Sequence, residues 1–296
     1  MILVTGGTGF VGPHVVHALR AQERDVRVLV RKPGSKGAKI VASWGCELAQ
    51  GDMTDAESLK RAVEGCDTVV HLVAIPTGSE ERFEEIMSHG TRDLVEAAKQ
   101  AGVMRFVHMS ALGTSPASKD LTPYFRAKWE QEQTVKASGI DHVIFRPSFV
   151  FGGDGGMLPL LVMQVRWSPV IAVVGTKRMQ PVWVEDVASY FARALDTPEA
   201  NGRTFDLVGP DVVTWDELYD RIKRTLGKRR PTFRMPVSVA RAGAAVVEKL
   251  PTKLPLSPDA LTMLEYADNV ADLQPAVETF GIQPIGLNEQ IRRAVA

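Results

Sequence analysis

Residues 5–12 read TGGTGFVG, directly after the apolar run 1–4 and directly before an amphipathic stretch. Such a strand–loop–helix turn is typical of a site that holds the pyrophosphate of a dinucleotide on backbone N–H groups at a helix start. Two glycine fingerprints overlap here: G-x-G-x-x-G on Gly7, Gly9 and Gly12, and T-G-x-x-G-x-x-G on Thr5, Gly6, Gly9 and Gly12.

Outward from this loop, short apolar runs alternate with amphipathic stretches. Because strand and helix alternate strictly, we expect right-handed crossovers and a parallel sheet with helices on both faces. The predicted fold class is α/β, a Rossmann-type doubly wound parallel sheet with a smaller C-terminal α/β substrate lobe. The predicted strands are 2–4, 26–30, 68–73, 106–109 and 142–145, and the predicted helices are 11–21, 56–64, 81–101 and 124–138.

The pattern changes after about residue 151, where glycines and then prolines become frequent. We predict a dinucleotide-binding domain over 1–151 and a smaller substrate or partner lobe over 152–296, with 176–198 returning to the first domain. Within the lobe, the predicted helices are 214–227 and 236–249, followed by a rigid connector at 250–258.

Composition restricts the function classes. The 296 residues carry 35 Lys and Arg against 35 Asp and Glu, which gives no general attraction for nucleic acid. The two cysteines are interpreted as core thiols of a reducing compartment, and His71 and His89 lack metal-ligand spacing, so no metal is expected. No signal peptide or transmembrane segment fits, so the expected location is cytoplasmic; the sequence leaves monomer and homodimer open.

The end of the second predicted strand indicates which nucleotide binds. An NAD site presents an acidic residue there for the ribose 2′-hydroxyl, whereas this strand ends in Arg31 and Lys32. A cationic pair suits a 2′-phosphate, which predicts NADP(H) over NAD(H); the alternative is two solvated loop cations. In the segment GDMTD (51–55), which follows another strand pattern after 26–30, Asp52 and Met53 are placed to meet adenine. The alternative for Asp52 is a helix N-cap, although Thr54 or Asp55 fits that role better.

A second cluster of candidate residues lies between the predicted strands 106–109 and 142–145. Tyr124 and Lys128 are four residues apart on one helix and share a face. A phenol needs a nearby cation to exchange a proton at neutral pH, and Lys128 can lower its pKa and bind the nicotinamide ribose. Ser110 ends a strand where its hydroxyl can orient a substrate carbonyl. Taken alone, Y-x-x-x-K is common by chance.

The segments TGGTGFVG, GDMTD, VVHLVA, MSALG, YFRAK, RPSFVFG and PVWVEDVA occur in an order and spacing that resemble the extended and atypical short-chain dehydrogenase/reductase superfamily. The sequence is most similar to the branch that contains the NADPH-binding accessory subunit of respiratory complex I and its stand-alone bacterial relatives. The resemblance implies that Gly6, Gly9 and Gly12 are the working glycines and that Gly7 is incidental. It also implies that Ser110, Tyr124 and Lys128 are catalytic. It assigns to the cofactor Thr5, Gly6, Gly9, Phe10, Val11, Gly12, Arg31, Lys32, Asp52, Met53, Ala74, Lys128 and Pro147.

Two departures from the family pattern keep three hypotheses open. Met87 stands where extended members carry an Asn in N-x-x-G-T, and the interval from Ser110 to Tyr124 is shorter than in sugar epimerases. The first hypothesis is an NADP(H)-dependent oxidoreductase acting on an unknown small or lipophilic carbonyl or alcohol. The second is a non-catalytic NADPH-binding structural or redox-sensing protein. The third is a nucleotide-sugar epimerase or dehydratase.

Two further segments of the C-terminal lobe have alternative interpretations. Seven basic residues lie in 221–234, and they are either a solvated helix end or a contact for an anionic substrate, lipid or partner. The apolar stretch 237–250 is either a packed lobe helix or a peripheral membrane or quinone contact.

Overall fold

The computed structural model describes residues 1–241 and 258–296. Its strands are β1 (Ile2–Thr5), β2 (Val26–Val30), β3 (Glu47–Gln50), β4 (Thr68–His71), β5 (Arg105–Met109), β6 (Asp141–Pro147), β7 (Val150–Phe151), β8 (Ile171–Val173), β9 (Val182–Trp183), β10 (Arg203–Leu207) and β11 (Thr232–Arg234). Its α-helices are α1 (Gly12–Ala21), α2 (Lys36–Ser43), α3 (Ala56–Val63), α4 (Glu80–Phe83), α5 (Gly90–Gln100), α6 (Pro123–Lys136), α7 (Leu158–Trp167), α8 (Val184–Arg193), α9 (Trp215–Thr225), α10 (Pro258–Tyr266), α11 (Gln274–Phe280) and α12 (Leu287–Val295).

The main sheet has seven strands in the order β10-β6-β5-β4-β1-β2-β3, and every neighbouring pair is parallel. This architecture confirms the predicted Rossmann-type α/β fold. The chain runs from β1 to β3 in one direction and then crosses to β4 on the other side of β1. The carboxyl ends of β1 and β4 therefore border the crevice where doubly wound sheets bind ligands.

The central strands are apolar because helices cover both faces of the sheet. All four residues of β1 are buried, as are all four of β4. Helices α2 and α8 pack against α1, and α3 and α6 pack against α5. Two layers of amphipathic helix thus enclose near-continuous hydrophobic strands, as parallel sheets require.

The predicted single helix 81–101 has three parts. It begins with α4, continues through a π-helical stretch at Glu84–His89, and ends with α5. The π-helical stretch contains Met87, which is fully buried and packs with Phe83 and Ala127. Such bulges are often found at functional sites.

The chain divides into two compact units. Unit 1 consists of Met1–Pro147, Val184–Leu207 and Gln274–Gln283, and unit 2 consists of Ser148–Trp183, Val208–Leu273 and Pro284–Ala296. These bounds differ from the sequence expectation of 1–151 with 176–198 returning. Strand β9 pairs with β7, which keeps 176–183 in unit 2, whereas β10 pairs with β6 and adds a strand to unit 1 that the sequence pattern did not predict.

Unit 2 contains two small parallel ladders, β7 with β9 and β8 with β11. Helix α9 begins with a capping box between Thr214 and Glu217, and it corresponds to the helix predicted over 214–227. Residues 237–241 are helical, whereas the rest of the helix predicted over 236–249 and most of the predicted connector lie outside the described residues.

Candidate nucleotide-binding and active site

The backbone of the glycine loop packs closely on itself, so its glycine positions leave little room for a side chain. Gly6 has φ +77°, in the left-handed region that favours glycine. A β-carbon on Gly12 would lie 2.3 Å from the carbonyl oxygen of Gly6, and one on Gly9 would lie 3.3 Å from the same atom. Helix α1 begins with no side-chain cap at Val11, so its first N–H groups have no side-chain acceptor. This cradle fits the pyrophosphate of a dinucleotide.

Gly7 is not incidental. A β-carbon there would lie 2.6 Å from Cγ1 of Val28, which is fully buried in the neighbouring strand β2. Gly7 therefore lets the loop pack directly on the sheet, a structural role that either glycine fingerprint alone leaves unspecified.

The residues after β2 lie beside the glycine loop. Arg31 and Lys32 are exposed, and neither forms an ion pair with any residue of the described ranges. Helix α2 follows, capped by Ser35, and a β-carbon on Gly37 would lie 3.1 Å from Cβ of Thr8 in the loop. Two cations without a protein carboxylate thus lie next to the turn that fits a pyrophosphate.

The segment after β3 also lies at this edge of the sheet, and it contains the two residues predicted to meet adenine. One carboxylate oxygen of Asp52 accepts hydrogen bonds from the backbone N–H and the hydroxyl of Thr54, both at 3.0 Å. Asp55, not Asp52, caps α3, by accepting from the N–H of Ser58. Met53 is buried, and a β-carbon on Gly90 would lie 2.6 Å from its carbonyl oxygen. Ala74, by contrast, is exposed in the segment after β4.

Helix α6 positions the tyrosine and the lysine. It begins at a Thr122 cap followed by Pro123, as its sequence predicts. Lys128 is fully buried, and its Nζ donates to the carbonyl oxygen of Met109, the last residue of β5, at 2.8 Å. Burial lowers the pKa of Lys128 to about 7, and the carboxylate of Glu132 opposes part of that shift. The lysine thus lies at the same edge of the sheet as the glycine loop.

Tyr124 is half-buried, with its ring edge-on to Phe83 at 6.2 Å between centroids. Burial raises the pKa of Tyr124 to about 12. Burial is the cause of this shift, because a phenolate is costly to remove from water, and a lowering of the Tyr124 pKa by Lys128 stays a prediction. The hydroxyl of Tyr124 keeps its proton at neutral pH.

Ser110 lies at the carboxyl end of β5 but turns its hydroxyl into the protein. Its side chain is buried, and its Oγ donates to a carboxylate oxygen of Glu132 at 2.6 Å. Arg146 donates two further hydrogen bonds to Glu132, each at 2.7 Å, and Lys136 donates one at 3.0 Å. A substrate carbonyl would have to displace Glu132 to reach this hydroxyl.

Burial of Glu132 acts to raise its pKa, but the bonds from Arg146 and Ser110 outweigh that effect and the net pKa is lowered. The carboxylate is therefore ionised in the interior. Sequence reasoning missed Glu132, although its spacing offered a signal: Tyr124, Lys128, Glu132 and Lys136 recur every fourth residue on one face of α6.

A chain of buried hydrogen bonds connects the start of the glycine loop to α6. The Oγ1 atom of Thr5 lies 2.6 Å from Nδ1 of His71, and Nε2 of His71 lies 2.9 Å from Oγ1 of Thr91. Gln131 on α6 donates to the same Thr91 oxygen at 2.8 Å. Burial, with a smaller effect of the Lys128 ammonium, lowers the pKa of His71 to about 3, so the imidazole is neutral. The hydroxyl of Thr5 is therefore hydrogen-bonded to His71 in the protein interior.

The remaining predicted residues lie around this edge. Phe10 is half-buried with its ring edge-on to His14, and Val11 is buried at the start of α1. Pro147 is the buried last residue of β6, and its carbonyl oxygen accepts from the N–H of Leu112 at 2.9 Å.

Comparisons with known proteins identify the family and the fold. A family model described as NAD(P)H-binding matches residues 6–198, and the chain belongs to this NAD(P)H-binding family. It is 29% identical to the mitochondrial NADH dehydrogenase [ubiquinone] 1 alpha subcomplex subunit 9 of Rattus norvegicus, over 96% of this chain and 76% of that protein. It is 30% identical to the ceramide reductase of Caulobacter vibrioides, over 83% and 77%. Among solved structures, an NADPH-dependent quinone oxidoreductase of Escherichia coli in complex with NADPH has the same fold, with a TM-score of 0.82, 20% identity and full coverage of both chains.

Within the described residues, no helix combines the length and the apolar character that a membrane-spanning segment requires.

Proposed function

We propose that this protein is an NADP(H)-dependent oxidoreductase that reduces a carbonyl group of a small or lipophilic substrate. The observation that carries the proposal is the pairing on α6 of Tyr124, whose phenol holds its proton, with Lys128, whose ammonium is bonded to the end of β5. A protonated phenol is the form needed to donate to an oxygen that gains electrons. The reductase named among the relatives supports the same reaction class.

The cofactor we propose is NADP(H) in preference to NAD(H). Arg31 and Lys32 are exposed beside the glycine loop and have no ion-pair partner within the described ranges. A guanidinium can bind a 2′-phosphate through two hydrogen bonds, whereas a free 2′-hydroxyl offers it no charge to neutralise. The backbone of residues 6–12 would hold the pyrophosphate, with Met53 and Asp52 toward adenine and Ala74 and Pro147 along the cofactor.

In this mechanism the bound nicotinamide supplies the hydride. Tyr124 donates the proton of Oη to the substrate oxygen as negative charge develops on that oxygen. The tyrosinate that remains needs a cation one helical turn away, and Lys128 is that cation while its ammonium is protonated. Lys128 also binds the nicotinamide ribose in this proposal. Ser110 remains a candidate for orienting the carbonyl, a role that requires the substrate oxygen to displace the bond from Ser110 to Glu132.

A second candidate is a non-catalytic NADPH-binding protein in which the nucleotide stabilises the fold. Two observations favour it. Ser110 is held by Glu132, and Met87 places an apolar, fully buried side chain where a polar proton relay would need a hydrogen-bonding group.

One experiment separates the candidates. NADPH oxidation is followed against a panel of quinones, aldehydes and ketones, with wild type, Tyr124→Phe and the control Tyr266→Phe, whose ring is exposed in unit 2. For an oxidoreductase, we expect Tyr124→Phe to lose about 10²-fold or more in rate with an unchanged NADPH affinity, while Tyr266→Phe keeps full rate. Tight NADPH binding without turnover of any panel member supports the second candidate. Turnover that survives in Tyr124→Phe contradicts the proposed role of the phenol.

A further inference from the structure

Helix α7 of unit 2 is apolar on two faces, although only one of them is buried. Its inward face, Leu158, Leu161, Val162 and Val165, is buried. Its outward face repeats the pattern with Leu160, Met163 and Trp167, of which Met163 is 55% and Trp167 is 76% exposed. A helix that is apolar on both faces normally lies in a core. Neighbouring exposed apolar side chains on one helix therefore indicate a surface that a membrane or another molecule covers.

Val170 extends this outward face past the end of the helix and is also exposed. We call Leu160, Met163, Trp167 and Val170 the α7 stripe.

The end of the stripe adjoins a basic pocket. This pocket has a volume of about 530 Å³ and lies where α9 ends and turns toward β11. Of the residues lining it, Asp220 is the one acid, and it is already paired with Lys223 at 2.7 Å. The cations that line the pocket are Lys223, Arg224, Lys228, Arg229 and Arg230.

Specific contacts place the pocket next to the end of α7 that carries Trp167. The Nη2 atom of Arg230 donates to the carbonyl oxygen of Arg166, which is next to Trp167 on α7, at 3.4 Å. The N–H of Ile171 donates to the carbonyl oxygen of Pro231 at 2.9 Å, and β8 continues beside β11 from there. Tyr219 on α9 donates to Gln164 on α7 at 2.6 Å. These bonds hold the basic residues beside the Trp167 end of the helix.

We propose that the α7 stripe and the basic pocket form a docking surface for a bilayer of anionic phospholipid. The stripe would insert Met163 and Trp167 at the boundary between headgroups and acyl chains, and the pocket would receive headgroup phosphates. Charge decides between occupants. An apolar partner would cover the stripe but would leave Arg224, Lys228, Arg229 and Arg230 facing it, since of the five cations Lys223 alone is paired with the acid of the pocket. Interfacial helices characteristically combine a tryptophan-bearing apolar face with Lys and Arg beside it, and anionic leaflets attract such cations.

The test is flotation of the full-length protein with vesicles of phosphatidylcholine mixed with phosphatidylglycerol and, separately, vesicles of phosphatidylcholine alone. We expect binding to the anionic vesicles at low ionic strength, with a blue shift of tryptophan fluorescence. Trp167→Glu should weaken that binding by about tenfold or more, because a carboxylate would have to leave water. Arg229→Ala should weaken it about fivefold, from about 1 kcal/mol per basic residue near the surface. The matched control is Met104→Glu, since Met104 is 69% exposed in unit 1.

Several results would overturn the proposal. Absence of binding to either vesicle would do so, as would equal binding to both or an unchanged affinity in Trp167→Glu. Displacement from the vesicles by inorganic phosphate at millimolar concentration, with no fluorescence shift, would assign the pocket to a soluble phosphate instead. A wild-type dimer that Trp167→Glu dissociates would assign the stripe to a second copy of this chain. A clear loss of thermal stability in Trp167→Glu would show that the chain itself covers the stripe. Unchanged NADPH affinity in every variant would confirm that each remains folded.

Discussion

Lys128 donates a hydrogen bond from its ammonium nitrogen to the carbonyl oxygen of Met109 across 2.8 Å, and its side chain is fully buried. A charged group bonded to a single backbone carbonyl in the interior has lost most of its hydration. Burial lowers the pKa of Lys128 to about 7, so the charge of this lysine changes within the pH range in which enzymes work.

This pKa predicts how stability depends on pH. Below about pH 7 both the folded and the unfolded chain hold the Lys128 proton, and the cost of burying it is fully present. Between about 7 and 10.5 only the unfolded chain holds it, so the free energy of unfolding rises with pH. We expect wild type to gain a few kcal/mol over Lys128→Met across this interval, at about 1.36 kcal/mol per pKa unit. Urea unfolding at both ends of the interval measures the gain. Parallel pH profiles for the two proteins would contradict it, and Lys99→Met, which changes an exposed lysine, is the control.

The buried cluster around Glu132 predicts a large effect of a small substitution. Glu132→Gln keeps the shape of the side chain but leaves Arg146 and Lys136 facing a neutral amide. Breaking a fully buried pair costs about 3–5 kcal/mol, and because both cations reach solvent here we expect about 2–3 kcal/mol, measured as a loss in the free energy of unfolding. The control is Glu96→Gln, which removes an exposed partner of Lys99 and should cost less than about 0.5 kcal/mol. Equal losses in the two variants would show that Glu132 contributes no more than a surface charge.

Nucleotide binding can be tested separately from overall folding at the glycine loop. Gly12→Ala would place a β-carbon 2.3 Å from the carbonyl oxygen of Gly6, so the loop must open and we expect NADPH affinity to fall by more than about tenfold. Gly34→Ala changes a nearby loop glycine whose added β-carbon would contact nothing within 4 Å, and it should bind as wild type does. Equilibrium titration of nucleotide fluorescence compares the two variants. Equal affinity for NADPH in both would mean that this turn does not hold the pyrophosphate.

The amino-acid sequence predicted the sheet and its glycine loop well, because periodicity and glycine positions record local constraints. Strand β2, for example, was predicted with its observed bounds, and the Thr122 cap marked the start of α6. Strand β10 was missed because a five-residue edge strand with two buried positions has little pattern of its own. The π-helical stretch around Met87 was missed for a related reason, since an amphipathic pattern does not report one inserted residue.

The candidate site was predicted less completely than the fold. Residue types at family positions made Tyr124 and Lys128 candidates, but they could not give the direction of the tyrosine pKa shift, which depends on how deeply the ring is buried. Ser110 looked available at a strand end, yet its hydroxyl is bonded to Glu132, twenty-two residues later in the chain. Partners that meet only in the folded protein leave no local pattern to read.

We propose above that the edge of the sheet next to Arg31 and Lys32 binds NADP(H) in preference to NAD(H). The most direct measurement is the ratio of the dissociation constants for NADH and NADPH at one fixed ionic strength, for wild type, Arg31→Asp and the control Lys99→Asp. At about 1.5–3 kcal/mol for hydrogen bonds to a charged group, we predict that wild type binds NADPH about 10- to 100-fold more tightly, that Arg31→Asp loses this preference, and that Lys99→Asp retains it. Equal affinities for the two nucleotides in wild type, or an unchanged ratio in Arg31→Asp, would show that Arg31 does not select the 2′-phosphate.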